Sequence, residues 1–101
     1  VAEEKGNAWF CYMVRCRDGS FYAGITNDLR RRVDEHNRGE AASYTAKRRP
    51  VKLIWAEGFD SQRAARRREV EVKGWSRRKK VDLLRRNPSA PPSASAQGKG
   101  A

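Results

Sequence analysis

The chain has little of what a membrane, disulfide-stapled or metal-scaffold protein needs. Its 101 residues hold two cysteines, one histidine and four prolines. No run of about 18 apolar residues occurs, so no membrane span is expected. No hydrophobic stretch lies near the N-terminus, so no secretory signal is expected and the expected compartment is the cytoplasm. Cys11 and Cys16, five positions apart in one apolar run, are too few for a disulfide framework and read as reduced core thiols on opposite sides of a strand. With no C-x-x-C and no ligands clustered at metal spacing, a zinc site is not expected. Acid is scarce as well: 12 Asp and Glu face 23 Lys and Arg, a formal net charge of +11.

What the chain does have is aromatic. The hydrophobic fraction is only 38%, but three Trp, three Tyr and three Phe supply large buried surfaces, enough for one small core. Composition changes after Arg86. The segment NPSAPPSASAQGKGA cannot bury enough apolar area to offset chain entropy, so residues 87–101 are expected to form a disordered tail. Residues 1–7 read as an N-terminal arm and 8–86 as the folded domain. The first 86 residues carry 22 of the basic and all 12 of the acidic residues, a charge of +10, so the basic character does not belong to the tail.

Trp9 to Cys16 is aromatic and β-branched at both parities, the pattern of a strand covered on both faces, and Phe21 to Ile25 reads as its partner. The intervening Arg17-Asp18-Gly19 suits a three-residue loop closed by glycine in the left-handed region. That loop sets a register in which Cys16 pairs Ser20, Val14 faces Tyr22 and Tyr12 faces Gly24, all on one side. A two-residue turn would put the tyrosines on opposite faces. Asn27 or Asp28 caps a helix to about Arg38, stopped by Gly39. Val51 to Glu57 reads as a third strand. Asp60 or Ser61 begins a helix to about Lys73, and Ser76 begins another to about Arg86. The order ββαβαα predicts an α+β fold, a small three-stranded antiparallel sheet flanked by helices.

Steps of about 100° per residue place Leu29, Val33 and His36 on one stripe of the first helix, with Arg32 about 60° from its centre. On the second helix Ala65, Glu69 and Val72 share a stripe. Each of these polar residues has a plainer reading. Arg32 packs its stem at a margin, His36 satisfies a carbonyl in the core, and Glu69 pairs with Arg66, Arg68 or Lys73. A tyrosine pair on a strand is commonly cross-strand packing. As a set, Tyr12, Tyr22, Arg32, His36 and Glu69 suit a phosphodiester, the substrate class a strongly basic surface attracts. Glu69 with water and a phosphate oxygen suffices for Mg²⁺ or Mn²⁺. Arg32 is placed to hold phosphate oxygens. A tyrosine beside cations is expected to favour its phenolate and take a proton from water, with His36 orienting it or shuttling the proton. Lys47, Arg48 and Arg49, with Tyr44, make the polar, flexible connection Glu40 to Pro50 a candidate nucleic-acid clamp. Arg77 and Arg78, with Lys79, Lys80, Arg85 and Arg86, form a second basic surface.

At these residues the chain resembles a known family. CYMVRCRDGSFYAGIT followed by NDLRRRVDEHN is similar to the GIY-YIG nucleases, with Cys11-Tyr12 and Tyr22-Ala23-Gly24 standing where the two name-giving motifs stand. The stretches SYTAKRRPVKL and EVKGWSRRKK resemble those of the small stand-alone bacterial members. The resemblance spans about Trp9 to Leu84. It implies Tyr12 and Tyr22 as the motif tyrosines, Arg32 as the phosphate-binding arginine, His36 as the residue one turn on and Glu69 as the metal-holding carboxylate. Phe10-Cys11 replaces the Gly-Ile of the first motif, Ala23 the Ile of the second, and Ile25 a lysine present in some members. The implied activity is metal-dependent hydrolysis of DNA at nicks, branches or flaps, or with little sequence preference. The alternative is a catalytically silent nucleic-acid-binding module of the same fold.

Overall fold

The computed structural model describes residues 8–86. The arm and tail expected at 1–7 and 87–101 lie outside the described residues. The elements run β1 (Trp9–Arg15), β2 (Phe21–Thr26), α1 (Leu29–Asn37), α2 (Ser43–Ala46), β3 (Lys52–Phe59), α3 (Gln62–Lys73) and α4 (Arg77–Arg86). The strands form one antiparallel sheet with β1 at its centre, in the order β2-β1-β3. This is the expected α+β architecture with one addition. The segment between α1 and β3, read as a flexible connection, holds the single-turn helix α2, whose four residues are too few to carry a helical period.

Local chemistry accounts for the element ends. Gly19 closes the β1–β2 loop at φ +88°, and the Cys16 amide donates to the Ser20 carbonyl at 2.8 Å. The register is therefore the expected one, Tyr12 opposite Gly24 and Val14 opposite Tyr22. The Asp18 carboxylate accepts from the Ser20 amide at 3.0 Å and its hydroxyl at 2.6 Å, which braces the loop and holds that carboxyl below its ordinary range. Asp28 caps α1 by accepting from the Arg31 amide at 3.0 Å, and Gly39 at φ +80° follows its end. Ser61 caps α3 through the Ala64 amide at 3.1 Å, and the Ser76 hydroxyl accepts from the Lys79 amide at 3.2 Å.

Strand alternation divides the interior. Cys11, Met13, Ala23 and Trp55 face α3 and α4, packing with Val72 and Leu83. Tyr12, Val14 and Cys16 face the other way, packing with Val51 and with Tyr22, Leu29 and Leu53. A bulge keeps β3 in step with this division. Met13 pairs Trp55 but Val14 pairs Leu53, leaving Ile54 as the extra residue, so that Trp55 and Leu53 serve opposite faces. Both cysteines are free and buried, one on each face. Burial, with Glu69 nearby, pushes the Cys11 thiol up to about 12, which keeps it an inert thiol.

Candidate active site

The Tyr12 face is a chain of polar contacts. The Tyr12 hydroxyl lies 2.8 Å from His36 Nε2, and His36 Nδ1 lies 2.7 Å from Thr45 Oγ1. All three residues are buried. Counting protons sets the directions. The Thr45 hydroxyl donates its one proton to the Ala42 carbonyl at 3.2 Å, so it accepts from His36 Nδ1–H. His36 Nε2 is then a bare lone pair, and the Tyr12 hydroxyl donates to it. Burial, then the Arg32 charge, lowers the His36 pKa from its ordinary 6.5 against the opposing pull of Glu35, so the imidazole is neutral at pH 7. Burial likewise pushes the Tyr12 phenol up, with Arg32 pulling the other way and Tyr22 and Glu69 adding to the rise. The direction is opposite to the phenolate expected from the sequence, because desolvation outweighs the neighbouring guanidinium.

This chain depends on Gly24. A Cβ at that position would lie 2.7 Å from the Tyr12 hydroxyl oxygen and 2.9 Å from Cζ. The phenol therefore rests on bare backbone, and the glycine serves close approach rather than an unusual turn.

Around this bond stand the other expected residues. The Tyr22 ring meets His36 edge-on, centroids 5.4 Å apart, and stacks on Tyr44 at 6.0 Å. Arg32 projects from α1 one turn before His36, its NH1 3.1 Å from Glu35 Oε1. Its Nε is buried and has no hydrogen-bond partner among the described residues. A buried guanidinium donor left unpaired is costly, and it is the exposed remainder of this side chain, 32% of it, that an oxyanion such as a phosphate can reach. Tyr12, Tyr22 and His36 thus meet directly, with Arg32 beside them.

Glu69 stands apart. Its side chain is only 8% exposed, as the helical stripe predicts, but α3 packs on the opposite side of the sheet, and Glu69 makes no hydrogen bond or ion pair with the other four residues. Its Oε2 pairs with Lys73 Nζ at 3.0 Å and its Oε1 with Arg66 NH1 at 3.3 Å. The link to the tyrosines is Lys73, whose Nζ also lies 5.6 Å from the Tyr22 ring centre. The donor set limits the metal that fits. Among the described residues no three or more His, Cys, Asp or Glu are gathered as a metal site would need. One buried carboxylate fits a hard cation such as Mg²⁺ or Mn²⁺, which keeps water and takes phosphate oxygens. Its two present partners, 59% and 50% exposed, can swing away.

The expected nucleic-acid residues separate into held and free side chains. Arg48 is held: Nε bonds Asp18 Oδ2 at 3.1 Å, NH1 bonds the Tyr44 carbonyl at 2.8 Å, and the guanidinium lies 3.8 Å over the Tyr44 ring, covering a face that a base would need. Arg77 bonds the Gly19 carbonyl at 3.0 Å and lies over Phe21. Arg49 bonds the Ala46 carbonyl through Nε at 2.9 Å. Lys47 and Arg78 are exposed. The sequence reading missed Thr45, and its one signal was position: a small hydroxyl residue nine after His36, inside a connection otherwise read as solvated.

Comparison with known proteins agrees with this fold. The family profile of the GIY-YIG catalytic domain matches residues 8–82. The UPF0213 protein SSP2268 of Staphylococcus saprophyticus is 45% identical over 75 residues, covering 74% of this chain and 92% of that protein. A UPF0213 protein of Staphylococcus aureus is 45% identical over 76 residues, covering 75% and 93%. Among solved structures, the solution NMR structure of the UPF0213 protein BH0048 from Bacillus halodurans is similar at 38% identity and a TM-score of 0.54, covering 88% of this chain and 94% of that one. That of EF2693 from E. faecalis gives 41% and 0.53, covering 80% and 84%.

Proposed function

The chain belongs to the GIY-YIG catalytic-domain family, and from that premise we propose that it is a divalent-metal-dependent endonuclease hydrolysing DNA phosphodiester bonds, selective for nicked, branched or flapped DNA of the kind met in repair. The observation that carries this reading is a tyrosine whose hydroxyl proton is aimed at a neutral histidine, with the partly exposed Arg32 one helical turn away. Arg32, whose side chain is 32% exposed, binds an oxygen of the scissile phosphate and orients it. A water beside Tyr12 attacks phosphorus, passing a proton to the phenol oxygen as the phenol passes its own to His36 Nε2. The bond to the leaving oxygen breaks, and that oxygen takes a proton from solvent. Thr45 keeps Nε2 free to receive by occupying Nδ1–H. Tyr22 packs its ring against His36, narrowing the access of bulk water. Glu69 is the residue that would hold Mg²⁺ or Mn²⁺, and the ion would supply stabilisation of charge on the leaving oxygen. Lys47, Arg49, Arg77 and Arg78 add backbone attraction through counterion release. A DNA substrate fits the cytoplasmic compartment expected from the sequence.

One observation favours the silent binding module: both oxygens of Glu69 are already paired. The two readings separate when the purified chain and Arg32→Ala are incubated with supercoiled, branched and single-stranded DNA, with and without Mg²⁺. The nuclease reading expects Mg²⁺-dependent cleavage that falls by about 10²–10³ in the variant, the scale of losing one transition-state donor. Cleavage equal in both proteins overturns it, and binding without cleavage under any metal favours the module.

A further inference from the structure

A cleft of about 410 Å³ opens on the domain surface, lined by Arg17, Asn37, Ala46, Lys47, Arg49 and Pro50. We propose that it is a second phosphate seat, one that takes a backbone phosphate of the same nucleic-acid strand beside the one held at Arg32. This inference rests on the reading of DNA as substrate.

Three cations face the cleft and no carboxylate lines it. The contrast with Arg48, in the same segment, is direct: Arg48 is neutralised by Asp18, whereas the Arg17 and Lys47 side chains make no hydrogen bond or ion pair among the described residues. Like charges gathered without a counter-charge repel, and an anion between them relieves that repulsion. The walls are fixed in advance. Asn37 Nδ2 donates to the Val51 carbonyl at 3.2 Å and the Val51 amide donates to Asn37 Oδ1 at 2.7 Å, so the floor is pinned to the start of β3. The Arg17 amide donates to the Arg48 carbonyl at 3.0 Å, tying the β1–β2 loop to the far wall. Arg49 is braced through Nε, which leaves the rest of its guanidinium for a ligand. With the walls and Arg49 held in advance, only the exposed Arg17 and Lys47 side chains are ordered on binding.

Position makes the occupant a strand rather than a free anion. Asn37 directly follows His36, and Ala46 directly follows Thr45, so the cleft is lined by the chain neighbours of both partners of the His36–Thr45 hydrogen bond. A strand with one phosphate on Arg32 is thereby brought to the segment that carries the cleft. Its neighbouring phosphates are the anions held there at high local concentration.

The test uses the full chain, without divalent metal, and a labelled flapped DNA duplex titrated across a salt series. Arg17→Gln with Lys47→Gln is compared with Arg63→Gln with Arg67→Gln, an equal charge loss on exposed positions of α3. The cleft pair is expected to weaken binding at least about tenfold and to lower the slope of log K against log salt by about 1 per lost contact, while the α3 pair stays within about twofold. Equal loss in both pairs, or none in the cleft pair, overturns the proposal. Inorganic phosphate alone provides a second arm. If it shifts the Arg17 and Lys47 resonances but DNA does not, the seat belongs to a free anion and the strand assignment is wrong. Because binding is read without metal, a chain that binds through the cleft but never cuts would defeat the nuclease reading and leave the cleft standing.

Discussion

On one side of the sheet Cys11, Met13, Ala23 and Trp55 meet Val72 and Leu83 in an apolar layer; on the other, Tyr12 and Tyr22 meet His36, with Thr45 behind it. The residues of β1 alternate between these layers one by one, so two adjacent side chains on a single strand have different duties. The first layer supplies burial, and each methylene removed from it costs stability. The second gives up some of that gain to hold a phenol, an imidazole and a hydroxyl out of water. Those groups are tolerable only because each finds a partner. Stability and chemistry are therefore separable by mutation at neighbouring positions.

The sharpest contrast is between Tyr12 and Met13. Tyr12→Phe keeps the ring and removes the proton relay, so cleavage is expected to fall by about 10²–10⁴ with the fold retained, measured by nicking rate and thermal melting. Met13→Ala empties volume on the apolar side and is expected to cost about 2–5 kcal/mol of unfolding free energy, read from denaturant titration, with cleavage per folded molecule unchanged. If the two effects were exchanged, the division between faces would be wrong. Gly24→Ala strikes between them. Its new methyl meets the Tyr12 hydroxyl, so a cost of about 1–3 kcal/mol is expected together with loss of the Tyr12–His36 bond, visible as a shifted His36 ring resonance.

The smallest expected effect is one of pH. The His36 pKa lies below its ordinary 6.5, so in this range the unfolded chain binds the extra proton first. Its contribution to stability is whole above that value and is lost as pH falls through the lowered folded value. Cleavage, which needs a bare Nε2, is expected to decline on the same acidic limb. Thr45→Val should move that limb and shift the ring nitrogens toward the other tautomer, and Thr45→Ser should restore both. An acidic limb at the same pH in all three proteins would remove Thr45 from its positioning role.

Much of this was legible in the chain itself. The three residues Arg17-Asp18-Gly19 set the hairpin register, and the register put Tyr12 and Tyr22 on one face. Helical spacing turned His36, Ala65, Glu69 and Val72 inward, as found. What escaped has physical reasons. α2 is one turn long and leaves no period to read, so Thr45 was hidden in a polar connection. Arg48 and Arg77 look like solvated cations in sequence because their partners, Asp18 and the Gly19 carbonyl, lie 30 and 58 positions away. An inward direction for Glu69 did not reveal which face of the sheet α3 covers. That is why Glu69 shares no hydrogen bond with the tyrosines, acting on Tyr12 through its charge and meeting the Tyr22 ring through Lys73.

That separation makes Glu69 the place where the account is most exposed. Glu69→Gln keeps the shape of the side chain and removes the charge that would hold a divalent ion. The decisive measurement is Mg²⁺-dependent nicking of supercoiled DNA by this variant beside the unaltered chain, with DNA affinity measured on both. Nicking abolished with affinity retained is the result the account expects; nicking at the unaltered rate would contradict it.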